Sequence, residues 1–516
     1  MSSLKRIFVG SSVAWLSILL SLLGQVLLVP VFLTYWSAAT YGTWLALQAT
    51  VGLLSMFSLS YQTYLQGEFL KVGREEPGRA RQLLWTALPV AWGISALELL
   101  GVLSLYFCID IATVLGVQGV AEVNTNVLFI ILLAFALKNF FLMPFAGIAV
   151  KLLVVYGHYS RMALWGVLRL VLTLGTPVIA LFFGGDFLQV GLVWVSAHMF
   201  SAVLSYIDVL MIMRREQLLA FERPEWRRAF RMLGLSQAIT VRDFLNTMRN
   251  NGVRIVMSSF LGGVAVATFS TNRTVANVLR QGVGTITNPL LPELMHAVNR
   301  REQAKIESLF AIVWLLLLIF LVPGFLLMQN LMAPVFSLWT QGKVAFDSSL
   351  FAWFSGTILL FTVGQPAFAI ISGNNLLRVQ LVTSLVVGGF ALLFIFILVP
   401  LNGIVGAAIG LFAAEMVSLM CLTWACRSWM LKHGMGWPIR SQGVVLCGVV
   451  FGFGGLVGCS EFGGAISWGI CCSVSLCSFY FAYLYYRTLP HPAQAYMKTA
   501  LLRLPFLRKA LSAYLR

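Results

Sequence analysis

Apolar residues in this chain gather in long runs, and short polar, basic or Gly/Pro-bearing turns separate them. The runs fall near residues 10–34, 42–66, 83–107, 127–150, 162–184, 188–213, 236–261, 264–290, 307–332, 348–371, 379–400, 404–426, 441–459 and 465–486. Most reach the roughly 20 residues that cross a bilayer as a helix, and a helix satisfies its own backbone where no water can. The short alternating segments of a membrane barrel are absent. The pattern predicts an all-α integral membrane protein with about 14 transmembrane helices.

Composition strengthens this reading. The 516 residues are 59% hydrophobic and 10% charged, with a mean hydropathy of +0.89. Lys and Arg set the orientation. With the N-terminus inside, cytoplasmic segments hold 27 of the 35 basic residues, Lys343 is alone in an outside loop, and seven lie within spans. The outside loops carry Asp110, Glu122, Asp186, Asp347 and Glu461 instead. Both termini are predicted to be cytoplasmic, with the first run an uncleaved span rather than a signal peptide. The net charge of +17 is spread over many short loops, which suits anionic inner-leaflet lipids and not nucleic acid. The eight cysteines lack metal-site spacing and read as small hydrophobes within helices. No P-loop, HExxH or CxxC motif is present, so no enzyme, cofactor or metal site is expected.

The longest cytoplasmic connection, 214–235, carries Arg214, Arg215, Arg223, Arg227, Arg228 and Arg231. It reads as an inner-leaflet amphipathic linker or as a hinge between two bundles. A shift of 226 residues lays Arg74–Leu84 on Arg300–Phe310, and span 2 on span 8. The repeat is parallel in sense. The expected organisation is a six-helix bundle (1–213), the linker (214–235), a second six-helix bundle (236–426), two additional helices (427–486) and a basic amphipathic tail (487–516).

Charge inside the spans is the chemical signal. Segment 236–261 holds Arg242, Arg249 and Arg254, and 264–290 holds Arg273 and Arg280. Each central charge costs about 2.5–3.5 kcal/mol to insert, more than the neighbouring apolar residues offset. Segment 236–261 must therefore be shielded by protein or line water. Arg242, Asn246 and Arg249 follow i, i+4, i+7, and Asp243, Asn250 and Arg254 follow one residue along. Arg273, Asn277 and Arg280 repeat the pattern. The expectation is a cationic cavity for an anionic substrate, because guanidinium forks onto phosphate oxygens. Internal salt bridging is the competing account. Lys138 and Arg169 are weaker cavity candidates. Glu98, Asp208, Asp243 and Glu415 are candidate ion-coupling or salt-bridging acids. Trp44, Tyr61 and Tyr64 suit sugar stacking or interfacial packing equally.

Three segments resemble the bacterial polysaccharide (lipid-linked oligosaccharide) flippases of the multidrug/oligosaccharidyl-lipid/polysaccharide exporter superfamily. They are Val29–Gly42 (VPVFLTYWSAATYG), Phe260–Leu294 and Leu398–Gly410 (LVPLNGIVGAAIG). The resemblance implies two six-helix bundles, alternating access, and outward flipping of a polyprenyl-diphosphate-linked oligosaccharide for cell-surface polysaccharide. It also implies a monomer in the bacterial inner membrane, with polysaccharide polymerase and export machinery as further partners. A drug/cation antiporter of the same fold and a non-transporting assembly scaffold are the alternatives.

Overall fold

The computed structural model describes residues 3–108, 111, 115, 123–287, 290–374 and 376–494; side chains of 3–15, 283–287, 291 and 292 are not described. The basic tail beyond Gln494 and most of the expected outside loop after Cys108 lie outside the described residues.

The described chain is all α. The helices are α1 (Ser3–Tyr35), α2 (Ala38–Val72), α3 (Pro77–Cys108), α4 (Thr125–Leu153), α5 (Tyr159–Phe182), α6 (Phe187–Arg215), α7 (Trp226–Thr247) and α8 (Val253–Thr287). After them come α9 (Leu290–Asn299), α10 (Gln303–Leu316), α11 (Val322–Trp339), α12 (Ser348–Gly373), α13 (Leu377–Lys432), α14 (Ile439–Glu461) and α15 (Gly464–Thr488). Wide π-turns at Val154–His158, Met248–Gly252 and Leu317–Leu321 join α4 to α5, α7 to α8 and α10 to α11.

Eleven stretches among the described residues are long and apolar enough to cross a membrane. Three of them, Thr125–Phe182, Trp226–Gly282 and Leu377–Lys432, run 58, 57 and 56 residues. At 1.5 Å per residue a straight helix of that length would far exceed a bilayer core of about 30 Å. Each bends instead at a glycine with positive φ: Gly157 at 89°, Gly262 at 78° and Gly403 at 58°. The last turn is tight, since a Cβ on Gly406 would stand 2.0 Å from the Leu398 carbonyl oxygen.

Contacts divide the chain into two compact units, Met1–Thr271 with Trp339–Val344, and Asn272–Leu338 with Ala345–Arg516. The stretch 236–271, expected at the start of the second bundle, packs within the first unit. At one end of the first unit Phe32, Trp36, Trp44, Phe187 and Trp194 form an aromatic cluster with centroids 5.2–6.0 Å apart. Lys343 donates to the carbonyls of Leu33 and Thr34 at the end of α1. A cation on the last carbonyls of a helix is favourable, which gives the single basic residue of the expected outside loops a structural task.

In the second unit, Gly448, Gly452 and Gly455 bring α14 close to Leu318, Val322 and Val474, the small-residue packing expected between helices in lipid. The Ser478 hydroxyl donates to the Leu318 carbonyl at 2.6 Å. That carbonyl lies in the Leu317–Leu321 π-turn, where the regular helical ladder is broken, so the hydroxyl meets a backbone group that lipid cannot. Large apolar side chains face outward along many helices, among them Leu97, Phe141, Phe320, Leu338 and Trp424. This is a multi-pass membrane protein.

Candidate functional site

The first unit carries three of the five arginines. Arg242 is half-buried near the end of α7 and forks onto Asp243, with Nε and one terminal nitrogen donating to Oδ1 at 3.0 and 2.9 Å. The second Asp243 oxygen accepts from Ser60 of α2 at 2.9 Å. Asn246 is half-buried on α7, and Arg249 and Asn250 are half-buried within the π-turn. Arg249 and Asn250 both have interaction partners. Arg254 opens α8, and its Nε is buried with no hydrogen-bond acceptor.

The π-turn changes the face read from the sequence. An i+5 turn inserts one residue into the helical count, which rotates the residues after it by about 100°. The stripe predicted through Asp243, Asn250 and Arg254 therefore does not continue regularly across the turn to Arg254. Propensity does not announce this break, although the Asn250–Asn251–Gly252 run in the middle of a span is a visible weakness.

Beyond the π-turn, Gly262 turns the chain and Gly263 lies backbone to backbone on α2. A Cβ on Gly42 would stand 1.7 Å from the Gly263 carbonyl oxygen, and one on Gly263 would stand 2.4 Å from that of Ala39. The Ser37 hydroxyl caps α2 by accepting from the Thr40 amide at 3.1 Å. The motif Val29–Gly42 thus forms the end of α1, a capped turn, and the glycine that receives α8.

The other two arginines belong to the second unit. Arg273 is buried, Asn277 is half-buried, and the Arg280 guanidinium lies 4.2 Å from the Phe361 ring centroid. Stacking on an aromatic face holds a guanidinium without neutralising it. Arg273 and Arg280 also have further partners.

The remaining candidates divide. Asp208 is buried and takes bonds from Arg161 at 2.9 and 2.5 Å and from Trp165 at 2.7 Å. Its partner is thus Arg161, at the start of α5, rather than one of the arginines named from the sequence. Glu415 is half-buried and has a partner. Lys138 is buried on α4, whereas Arg169 is exposed on α5. Trp44 and Tyr61 are each 1% exposed, which assigns them to packing and not to a sugar in this conformation. Among the described residues no cluster of His, Cys, Asp and Glu has the makings of a metal site.

No protein-family model and no curated protein matches the sequence. Solved structures do match. The lipid II flippase MurJ, in an inward closed conformation, aligns over 93% of this chain and 99% of its own with a TM-score of 0.61 and 15% identity. An inward-facing multidrug resistance MATE family transporter of the MOP superfamily aligns over 82% of this chain and 98% of its own, with a TM-score of 0.58 and 13% identity. The chain has the fold of the multidrug/oligosaccharidyl-lipid/polysaccharide exporters. Residues up to Lys432 make up less than nine-tenths of it, so an alignment over 93% must reach into α14 and α15. At these identities the likeness concerns the fold. It corrects no sequence expectation and leaves the roles of the arginines to their own chemistry.

Proposed function

We propose that the protein is a flippase that moves a polyprenyl-diphosphate-linked oligosaccharide from the cytoplasmic to the outer leaflet by alternating access, in cell-surface polysaccharide synthesis. The observation that carries this reading is Arg254, an intramembrane guanidinium whose Nε is buried without an acceptor, on the continuous run of helix that also bears Arg242 and Arg249. A fixed cation with a bare donor is expensive unless an anion visits it. Diphosphate oxygens fit a guanidinium fork, and the lipid tail can remain in the bilayer. An alignment that extends through the last two helices of a lipid II flippase is consistent with a lipid-linked cargo.

In this reading Arg242, Arg249, Arg254, Arg273 and Arg280, with Asn246, Asn250 and Asn277, contact the phosphates during passage. Bending at Gly157, Gly262 and Gly403 divides three of the eleven stretches, which supports fourteen crossings with both termini in the cytoplasm. The start of α3 at Pro77 and of α10 at Gln303 matches the 226-residue shift and supports a parallel repeat. An inside-negative potential would favour export, by about 4–5 kcal/mol per 100 mV for two charges crossing fully.

The test is deletion of the gene in its host, with polyprenyl-diphosphate-linked glycan measured on the cytoplasmic leaflet. Build-up should be relieved by the wild type and not by Arg254→Ala or Arg273→Ala expressed at the same level. Unchanged glycan with altered drug sensitivity would select a drug/cation antiporter, a reading the surplus of intramembrane bases disfavours.

A further inference from the structure

The connection 214–235 sorts its charges. Its three acids turn toward neighbouring elements: Glu216 to Arg74 and His158, Glu222 to Arg81, and Glu225 to Gln82. The arginines beyond them share none of these acids. Arg223, Arg227 and Arg231 are exposed and form no ion pair among the described residues. The foot of α7 therefore carries exposed charge of one sign.

α7 has two unlike sides. Ala229, Met232, Ser236 and Thr240 are buried, and the helix packs on α2 and α3. On the opposite side Arg227, Arg231, Gly234, Ala238 and Val241 follow alternating steps of four and three residues, and all five are exposed. Trp226 and Phe230, 57% and 67% exposed, stand along one edge of this line, and Leu235 stands along the other. Gly234 leaves an open notch one turn beyond Arg231, where even a Cβ would meet nothing within 4 Å. Polarity falls along the line, from two guanidinium groups past Gln237 to Ala238 and Val241. Arg227 to Val241 covers about 21 Å of helix, close to the depth of one leaflet with its headgroups.

We propose that this line is the seat of one anionic phospholipid of the inner leaflet, with Arg227 and Arg231 on the headgroup phosphate and the acyl chains along Gly234, Ala238 and Val241. Two guanidinium groups one helical turn apart, about 6 Å, can hold a single phosphate from two sides. A zwitterionic headgroup brings its own cation to the same place, so a net negative headgroup is preferred. Trp226 and Phe230 stand where aromatic rings favour the headgroup level. The order of charge, small polar side chain and apolar surface along α7 is the order of phosphate, glycerol and acyl chain in the lipid. α7 leads through the π-turn to Arg249 and Arg254, so an occupied seat fixes the foot of the helix that bears the arginine series. The seat does not depend on what the protein transports.

The experiment is native mass spectrometry of the full-length protein in detergent, titrated with phosphatidylglycerol or phosphatidylcholine, with melting temperature measured alongside. Wild type should retain phosphatidylglycerol in preference to phosphatidylcholine, and should melt higher with it, because a ligand of the folded state stabilises that state. Arg227→Gln combined with Arg231→Gln should lower phosphatidylglycerol affinity about tenfold or more. Both side chains are exposed and unpaired, so melting without lipid should not change. Arg214→Gln combined with Arg215→Gln removes the same charge from the exposed end of α6 and should leave the affinity as it was. Gly234→Leu keeps both arginines, fills the notch and should weaken retention of the lipid. Equal retention of the two lipids by wild type would overturn the proposal. So would an equal loss in the two arginine pairs, which would mean a diffuse field and no seat. Displacement of phosphatidylglycerol by equimolar polyprenyl diphosphate in wild type, but not in the Arg227/Arg231 variant, would make the line an entry point for cargo and overturn the phospholipid as its occupant.

Discussion

At the residue scale, glycines on one helix answer to different constraints. Gly67 of α2 has open space where a Cβ would go, whereas Gly42 faces the Gly263 carbonyl. Alanine restricts the unfolded chain and favours helix by up to about 1 kcal/mol. Gly67→Ala should therefore leave the melting temperature in detergent unchanged or slightly raised. Gly42→Ala forces backbone apart, and overpacking of this kind costs about 1–3 kcal/mol or more. A clear fall in melting temperature is expected, together with new thiol reactivity of a cysteine placed at Thr43, which is buried in the native contact. Equal melting of the two variants would show that the α2–Gly263 contact is not held in solution. The sequence marks Gly42 only as half of a Tyr-Gly pair; the reason for the glycine lies 221 positions away in the chain and is visible only in three dimensions.

At the element scale, the connection 214–235 is held by polar and aromatic contacts. Its first part is strapped along α3. The Arg81 guanidinium donates to Glu222 at 3.3 Å and to the Gln217 carbonyl at 3.2 Å. Trp85 donates to the Ala220 carbonyl at 2.9 Å and packs edge-on against Phe221 at 5.1 Å. The Glu225 amide donates to Thr86 at 3.1 Å, and Glu216 joins Arg74 at 3.3 Å and His158 at 3.1 Å. Each exposed pair contributes about 1 kcal/mol or less, so the strap depends on their number and on Trp85. Trp85→Ala combined with Arg81→Ala should speed tryptic cleavage at Arg223 severalfold while leaving the helix content unchanged. Unaltered cleavage would mean that the strap is already open in solution. Apolar periodicity made the helices legible because each span must shield its own backbone. The strap and the π-turn at Met248–Gly252 were not legible, because they depend on polar partners more than 130 positions away and on a local register slip. The arginines were found for the same reason as the helices, since charge stands out against an apolar run. Their partners, such as Ser60 for Asp243, were not.

At the scale of the whole molecule, the parity of crossings is what a labelling experiment can test. Eleven apolar stretches taken as single crossings would leave the two ends of the described chain on opposite faces of the membrane. Fourteen crossings, obtained by dividing the three longest stretches at Gly157, Gly262 and Gly403, return both ends to one face. The proposed arrangement is the second, in which the segments assigned to the cytoplasm hold 27 of the 35 basic residues. A straight crossing of 56 residues would also carry helix far into water at both ends, with the apolar stretches on either side of Gly403 exposed to it. Impermeant thiol reagents should therefore label a cysteine at Asn402 from the outside of intact cells, and label one at His158 only after the membrane is opened. A reporter fused before α1 and one fused after α15 should both read cytoplasmic. Labelling of His158 from outside, or reporters on opposite faces, would return the count to an odd number. It would also count against the proposed parallel repeat, which requires each half to begin on the same side of the membrane.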